Sequence, residues 1–523
     1  MPTLAIGNTL IFDLAEPGLS LMHRAGLAGL YMTLGQLPTQ NPVGMQWELS
    51  PTRISLSWPG QDKEAIDWLL GESFQLNPDG LICLRGIRAK QMPISYLAIA
   101  HQGILGTLLQ HTSTHKSRSI VVKPYHADED KPPVFIQFKA LDQYAYQSFS
   151  SSLCDSKGRL HTKPIKVAGW LNPGAAVRHQ AFTSDTSFEE PAHLALVLLF
   201  ASVACCYFRL RSHLQEARAQ YALVIPEVTN LEKYAKLRLK VNKGAFHEFW
   251  ASSLGDAGLQ FLAMAEKLTG KLSLEACQVV TMGTVPWSTQ QKTRTDTYWI
   301  NISQNSQQLG TYKASREHLS DRILLSNNKQ ETYIETSLAR EIIADNLARG
   351  QPWFAGFATK IHDSELFHKL TYEREGLNNM IKAPNIEWSD TERHFVEACH
   401  EAIRNSYGIL RKRTKEGDVL RIDKFNERLR TRLARCKSPA TFREFMADFW
   451  SRAGYLSTFQ NHRDEIMELI LSDWKKARDL TLLSMASYKG AGNKDDRANT
   501  EDIPEDSQTN AEDDILDVDM DDI

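Results

Sequence analysis

The chain has 523 residues, 42% apolar and 24% charged, which is the composition of a soluble globular protein with more than one core. Its net charge of −3 hides a division: residues 494–523 hold two basic and thirteen acidic side chains, a local charge of −11, which leaves +8 on the rest. Seven cysteines at no repeating spacing exclude a disulfide scaffold or zinc ribbon, and no signal-peptide pattern opens the chain, so a reduced, cytoplasmic protein is expected.

Residues 9–14 (TLIFDL) read as a strand, stopped by Glu16, Pro17 and Gly18. Residues 21–34 read as a helix in which Gly26 and Gly29 allow close packing. Strand-like alternation follows at 47–58, a short helix at 63–70, a strand at 81–88 and a helix at 94–109. Residues 120–122 and 134–138 are again β-like. This mixture predicts an N-terminal α+β domain over residues 1–190, without the regular alternation of a doubly wound sheet. Residues 194–208 (LALVLLFASVACCYF) carry no charge, but the run is shorter than the roughly 20 residues a bilayer span needs, and His193 and Arg209 bracket it. A buried helix is expected there.

A middle region, residues 191–378, is expected to be helical to about residue 268, then to hold strands over 272–302 and a helix over 338–349. The last folded domain, 379–490, opens with a capping box between Ser389 and Glu392. Helices are predicted over 390–413, 418–436, 439–455 (after an N-cap at Ser438) and 463–488, joined by the short connections of a four-helix bundle. Residues 491–523 have the composition of a disordered acidic tail. The expected class is therefore α+β, with a mixed N-terminal and middle region followed by a helical bundle.

Catalytic signatures are missing from this order of residues. There is no phosphate-binding loop, no nucleophile elbow and no paired-histidine zinc helix. His462-Arg463-Asp464 matches a kinase tripeptide without its companions, and His111 and His115 lack an acidic third ligand in a Ser/Thr-rich stretch that disfavours a helix. No enzyme activity, metal or cofactor is expected.

Basic and amide side chains in loops are present instead. Lys116 and Arg118 lie in QHTSTHKSRSIVVK; Lys243 closes KVNK before Gly244 and Phe246; Gln290, Gln291, Lys292 and Arg294 follow Pro286-Trp287. Such side chains hold phosphates and read base edges. In the C-terminal helices Arg421, Lys424, Arg428, Arg432 and Arg435 fall three or four residues apart, with Arg411, Lys412 and Arg413 just upstream. They make one cationic helix face beside an apolar stripe of Ile422, Phe425, Leu429, Leu433 and Cys436. A cationic rail of this kind suits a polyphosphate backbone; the same spacing also fits a solvated helix face with Asp423 and Glu427 as partners.

Three blocks carry a family resemblance: IFDLAEPGLSLMHRAGLAGLYMTL (11–34), LLQHTSTHKSR (108–118) and WLNPGAAVRHQAF (170–182). They resemble the large subunit of type I CRISPR Cascade complexes, in the Myxan-type, type I-B branch that transposons also carry. In such subunits a small-subunit-like domain sits where the C-terminal bundle is predicted. The resemblance implies a non-catalytic protein that contacts the guide RNA 5′ handle, inspects the motif flanking a double-stranded DNA target, helps open the duplex and holds the displaced strand. It implies as partners the Cascade backbone and handle-capping subunits, and either a helicase-nuclease for antiviral interference or a transposition adaptor for RNA-guided insertion. Arg178 and His179, in the PGAAVRH block, are expected to touch the guide handle or to brace the fold. Lys243, Gln290, Gln291, Lys292 and Arg294 are expected to include motif readers, and the cations of 411–435 to contact DNA backbone. Met380 stands where an internal start would release free small subunits. A metal-dependent nuclease and a protein-only scaffold remain the alternative classes, and no membrane partner is expected.

Overall fold

The computed structural model describes residues 8–108, 115–126, 132–167, 171–173, 176–177, 186–211, 220–270, 274–284, 293–302, 306–325, 332–386, 388–413 and 422–490. The chain divides into two compact units, Met1–Lys313 with Ser320–Gln351, and Ala314–Leu319 with Pro352–Ile523.

In the first unit, β1 (Asn8–Asp13) leads to α1 (Leu21–Leu34), and β2 (Gln46–Leu49) and β3 (Arg53–Trp58) complete an antiparallel sheet in the order β1-β3-β2. Then come α2 (Asp62–Ser73), the hairpin β4 (Phe74–Leu76) and β5 (Ile82–Leu84), and α3 (Ile94–Thr107). The long strands β6 (His115–Tyr125) and β7 (Val134–Tyr144) precede α4 (Ser150–Leu153) and the small sheet of β8 (Ile165–Val167), β9 (Ala176–Val177) and β10 (Thr186–Glu190). Next are α5 (Ala192–Ala204), β11 (Cys206–Leu210), β12 (Gln220–Pro226), α6 (Leu231–Val241), β13 (Trp250–Ala251), α7 (Leu254–Thr269), β14 (Ala276–Thr284) and β15 (Thr293–Asn301). These strands form the central sheet, β13-β11-β12-β14-β15. After α8 (Ser306–His318), β16 (Arg322–Leu325) and β17 (Thr332–Glu335) join β7 and β6 in a second sheet, β16-β17-β7-β6, and α9 (Leu338–Ala348) follows.

The core begins with α1 against α5. A Cβ on Gly26 would lie 2.3 Å from the carbonyl oxygen of Val197, and one on Gly29 would lie 1.9 Å from that of Phe200, so only glycine permits this approach. The charge-free run at 194–208 is a buried helix only as far as Ala204; it then turns at Cys205 and becomes β11. Its Cys206, Tyr207 and Phe208 are buried between β12 and β13, so no alternation marks the change from helix to strand. For the same reason the helical stretch expected from 191 to 268 is interrupted by three strands. No helix among the described residues is long and apolar enough to cross a membrane. All seven cysteines are free and buried.

Two buried arginines hold this unit together. Arg238 on α6 donates to the carbonyls of Ala204 (3.0 Å) and Cys205 (2.8 Å), the exit of α5, and to the Tyr96 hydroxyl (3.0 Å). A charge at the negative end of a helix thus satisfies carbonyls that the helix itself cannot. Arg340 on α9 binds Asp256 at 3.1 Å and also Asp321, and Asp256 accepts from the Tyr312 hydroxyl at 2.6 Å.

The second unit is helical: α10 (Phe357–Lys360), α11 (Ser364–Thr371), α12 (Arg374–Lys382), α13 (Asp390–Arg413), α14 (Ile422–Arg435), α15 (Pro439–Ala453), α16 (Ser457–Asn461), α17 (Arg463–Ser472) and α18 (Trp474–Ser487). The capping box is present: Ser389 N–H donates to Glu392 at 2.8 Å, and Glu392 N–H to the Ser389 hydroxyl at 3.2 Å. The single helix expected over 463–488 is instead two, because Asp473 leaves helical geometry and its carboxylate accepts from Lys476 N–H at 3.0 Å, capping α18. Residues 352–378, assigned from sequence to the middle region, group here: α10, α11 and α12 pack on α18, and half-buried Asp479 accepts from the N–H groups of Gly356 (2.7 Å) and Ala358 (3.0 Å). Met380 lies inside α12 and is fully buried. The acidic tail, 491–523, lies outside the described residues.

Candidate nucleic-acid interface

The amphipathic pattern of α14 folds as its spacing dictates. Leu429 and Leu433 are buried, and Phe425 meets the ring of Tyr407 edge-on at 6.0 Å. One residue over, Lys424, Arg428 and Arg435 are exposed. Their spacings of four and seven residues keep them in one row, about 16 Å long at 1.5 Å per residue. Among the described residues none of the three pairs with a carboxylate. Arg411 and Lys412, also exposed, end α13, where a helix C-terminus favours cations.

Arg432 does not join that row. It pairs with Asp448 on α15, which also takes Arg452 at 2.7 Å, and its guanidinium stands 5.7 Å from the Phe445 ring. Burial pushes the Asp448 carboxyl up, but the two guanidiniums outweigh it and hold the group below its usual range. The stripe thus splits into three solvated cations and one that braces α14 against α15. Arg430, outside the cationic stripe, is buried: it binds Glu427 (2.9 Å, Nε to Oε2) and donates to the His362 carbonyl at 3.1 Å.

Of the loop residues in the first unit, Lys243 is exposed in the turn after α6, its N–H bonded to the Lys240 carbonyl at 3.0 Å. Lys116 is exposed on β6. Arg294 lies on β15 opposite Gly283, and Arg118 on β6, but their side chains lie outside the described residues, as does that of Arg413. Arg178, His179, Gln290, Gln291, Lys292 and Arg421 lie outside them altogether. His111 also does; His115 begins a strand where a paired-histidine helix would need it helical.

One surface was only half visible in the sequence. The sheet β16-β17-β7-β6 buries Val134, Ile136, Phe138 and Ala140 on its α3 side. Its other face pairs Pro124 with Phe135, Val122 with Gln137 and Ile120 with Lys139. Phe135 is 42% exposed, Tyr333 on the neighbouring β17 is 51% exposed, and Lys139 is exposed. Alternation along β7 shows one half of this face; the arrival of β17, almost 200 residues later, could not be read from it.

The DevT N-terminal domain matches residues 11–199, and the DevT C-terminal domain matches residues 384–516. CRISPR-associated protein Cas8a1/Csx13 of Myxococcus xanthus (strain DK1622) is 29% identical over 533 aligned residues, which cover 93% of this chain and 90% of that protein. Along most of its length the chain thus resembles this CRISPR-associated protein, and it matches DevT models at both ends. The cationic row of α14 falls in the C-terminal DevT domain, and β6 and β7 fall in the N-terminal one.

Proposed function

We propose that the chain is the non-catalytic large subunit of a Cascade-type, RNA-guided DNA-targeting complex, in which it reads the motif flanking the target, contacts the guide and holds the opened DNA. The observation that carries this reading is the relationship along 93% of the chain to a CRISPR-associated protein, with DevT domains at both ends. Sequence reading in such complexes falls to base pairing, so the protein needs polar probes for a few base edges and a track for phosphates. Lys424, Arg428 and Arg435, with Arg411 and Lys412, supply the track as solvated cations that would displace the counterions condensed on a nucleic-acid strand. Phe135 and Tyr333, on the same sheet face as Lys139, supply rings and charge of the kind that stack single-stranded bases.

Lys243 and the 290–294 segment are assigned to the flanking motif, and Arg178 and His179 to the guide. A free small subunit started at Met380 would begin within α12 and lack α10 and α11, which cover α18. Its stability would then require another partner on that face. The test is DNA binding by the complex reconstituted with guide RNA, with and without this chain, across randomised flanking motifs. Motif-selective binding that is lost without the chain is the expected result; equal binding without it would assign the chain to a scaffold.

A further inference from the structure

The second unit contains a side-chain cluster that nucleic-acid binding does not use. His394 on α13, His462 just before α17 and Glu465 in the first turn of α17 bring three ligand atoms within 4.8 Å of one another. Both histidines approach the same oxygen: Nδ1 of His394 is 2.8 Å, and Nδ1 of His462 is 2.6 Å, from Oε1 of Glu465. The other carboxylate oxygen accepts from the Thr391 hydroxyl at 3.2 Å, an outer contact that fixes the carboxylate's orientation. The two imidazoles stack with centroids 3.5 Å apart and planes inclined by 20°. All three side chains are partly exposed, so an ion has access from solvent.

An ordinary histidine–carboxylate pair needs one imidazole. Here a second lies directly over the first, and charging both would place two cations face to face. One dication between the two nitrogens and the carboxylate relieves that conflict and uses all three groups. Two imidazoles and a carboxylate form a donor set for zinc-class transition metals, whereas magnesium and calcium prefer oxygen alone. We propose that His394, His462 and Glu465 bind one transition-metal dication of the zinc class, leaving a coordination position for water and clipping α13 to α17. Binding requires both Nδ1 atoms unprotonated and a rotation of the stacked rings so that their lone pairs meet at the ion. Of the three ligands only His462 stood out in the sequence, in the orphan tripeptide at 462–464; His394 stands 71 residues from Glu465, and only the fold brings it there.

The test uses the full chain, stripped with a chelator and titrated with Co2+. The expected result is one equivalent bound with the intense visible absorption of four- or five-coordinate cobalt, displaced by Zn2+. It should be lost in His394→Ala and in His462→Ala, and weakened in Glu465→Gln, with circular dichroism unchanged. Zn2+ should also raise the melting temperature of the wild type and not of these variants. Cobalt bound only with the weak absorption of six-coordinate oxygen ligation, or equally by all variants, would assign the metal to the acidic tail and overturn the proposal, as would absence of binding.

Discussion

Arginine does opposite work in the two units. In the first, Arg238 and Arg340 are fully buried, and each gathers several acceptors: two carbonyls and a hydroxyl for one, two carboxylates for the other. In the second, Lys424, Arg428 and Arg435 stand in water along one side of α14. The buried guanidiniums have spent their charge on the fold, and removing one leaves partners stranded in a dry interior. The solvated row has made no such commitment, so its charge is available to an anion. Counting basic residues cannot make this distinction, and Arg432, inside the stripe yet bound to Asp448, shows how local it is.

The largest expected effect is on the buried side. Arg340→Ala should cost about 3–5 kcal/mol of unfolding free energy in urea denaturation, because Asp256 and Asp321 are left uncompensated. A loss below about 1 kcal/mol would mean that the hydroxyl and amide donors around Asp256 suffice alone.

The next effect is a pH dependence carried by the second unit. Burial pushes the His400 imidazole down to about 4, so its contribution is complete above its ordinary value of 6.5 and is lost as pH falls through about 4. His400→Gln should therefore flatten the fall of stability between those pH values, by up to about 3 kcal/mol at the acid end. Asp479 runs the other way: burial raises it to about 6, so the folded state takes up its proton first and gains relative stability as pH falls from there towards 3.8. Asp479→Asn should make the acid-side loss steeper. Thermal melts across pH 4–7 with opposite changes in the two variants would fix both signs.

A smaller effect separates Arg432 from its neighbours. Arg432→Ala should lower stability by about 1 kcal/mol, the worth of a partly exposed ion pair and a ring contact, and leave the salt dependence of DNA binding unchanged. A shallower salt dependence would return Arg432 to the phosphate-binding row.

Much of this was legible where the signal was local. The glycines at 26 and 29, the Ser389 capping box, the bounds of α13 and the two stripes of α14 follow from neighbours on one turn of helix. Contacts made far along the chain left no local mark. β11 is apolar on both faces, so its strand character depends on β12 and β13. The break at Asp473 is a cap set within an unbroken helical period. Phe135 and Tyr333 meet on one sheet face, and His394 meets His462, only through pairings between distant segments. Arg432 could be taken from the cationic row only once Asp448, on the next helix, was placed beside it.

DNA binding by the second unit depends most directly on the solvated row, and one measurement tests it: the salt dependence of target-DNA affinity for the guide-loaded complex carrying Lys424→Ala, Arg428→Ala and Arg435→Ala together. The predicted result is weaker binding at low salt, an unchanged melting temperature and a slope of log affinity against log salt shallower by about two, at roughly 0.7 per single-strand phosphate. Unchanged affinity and slope would contradict it and make α14 an ordinary solvated helix.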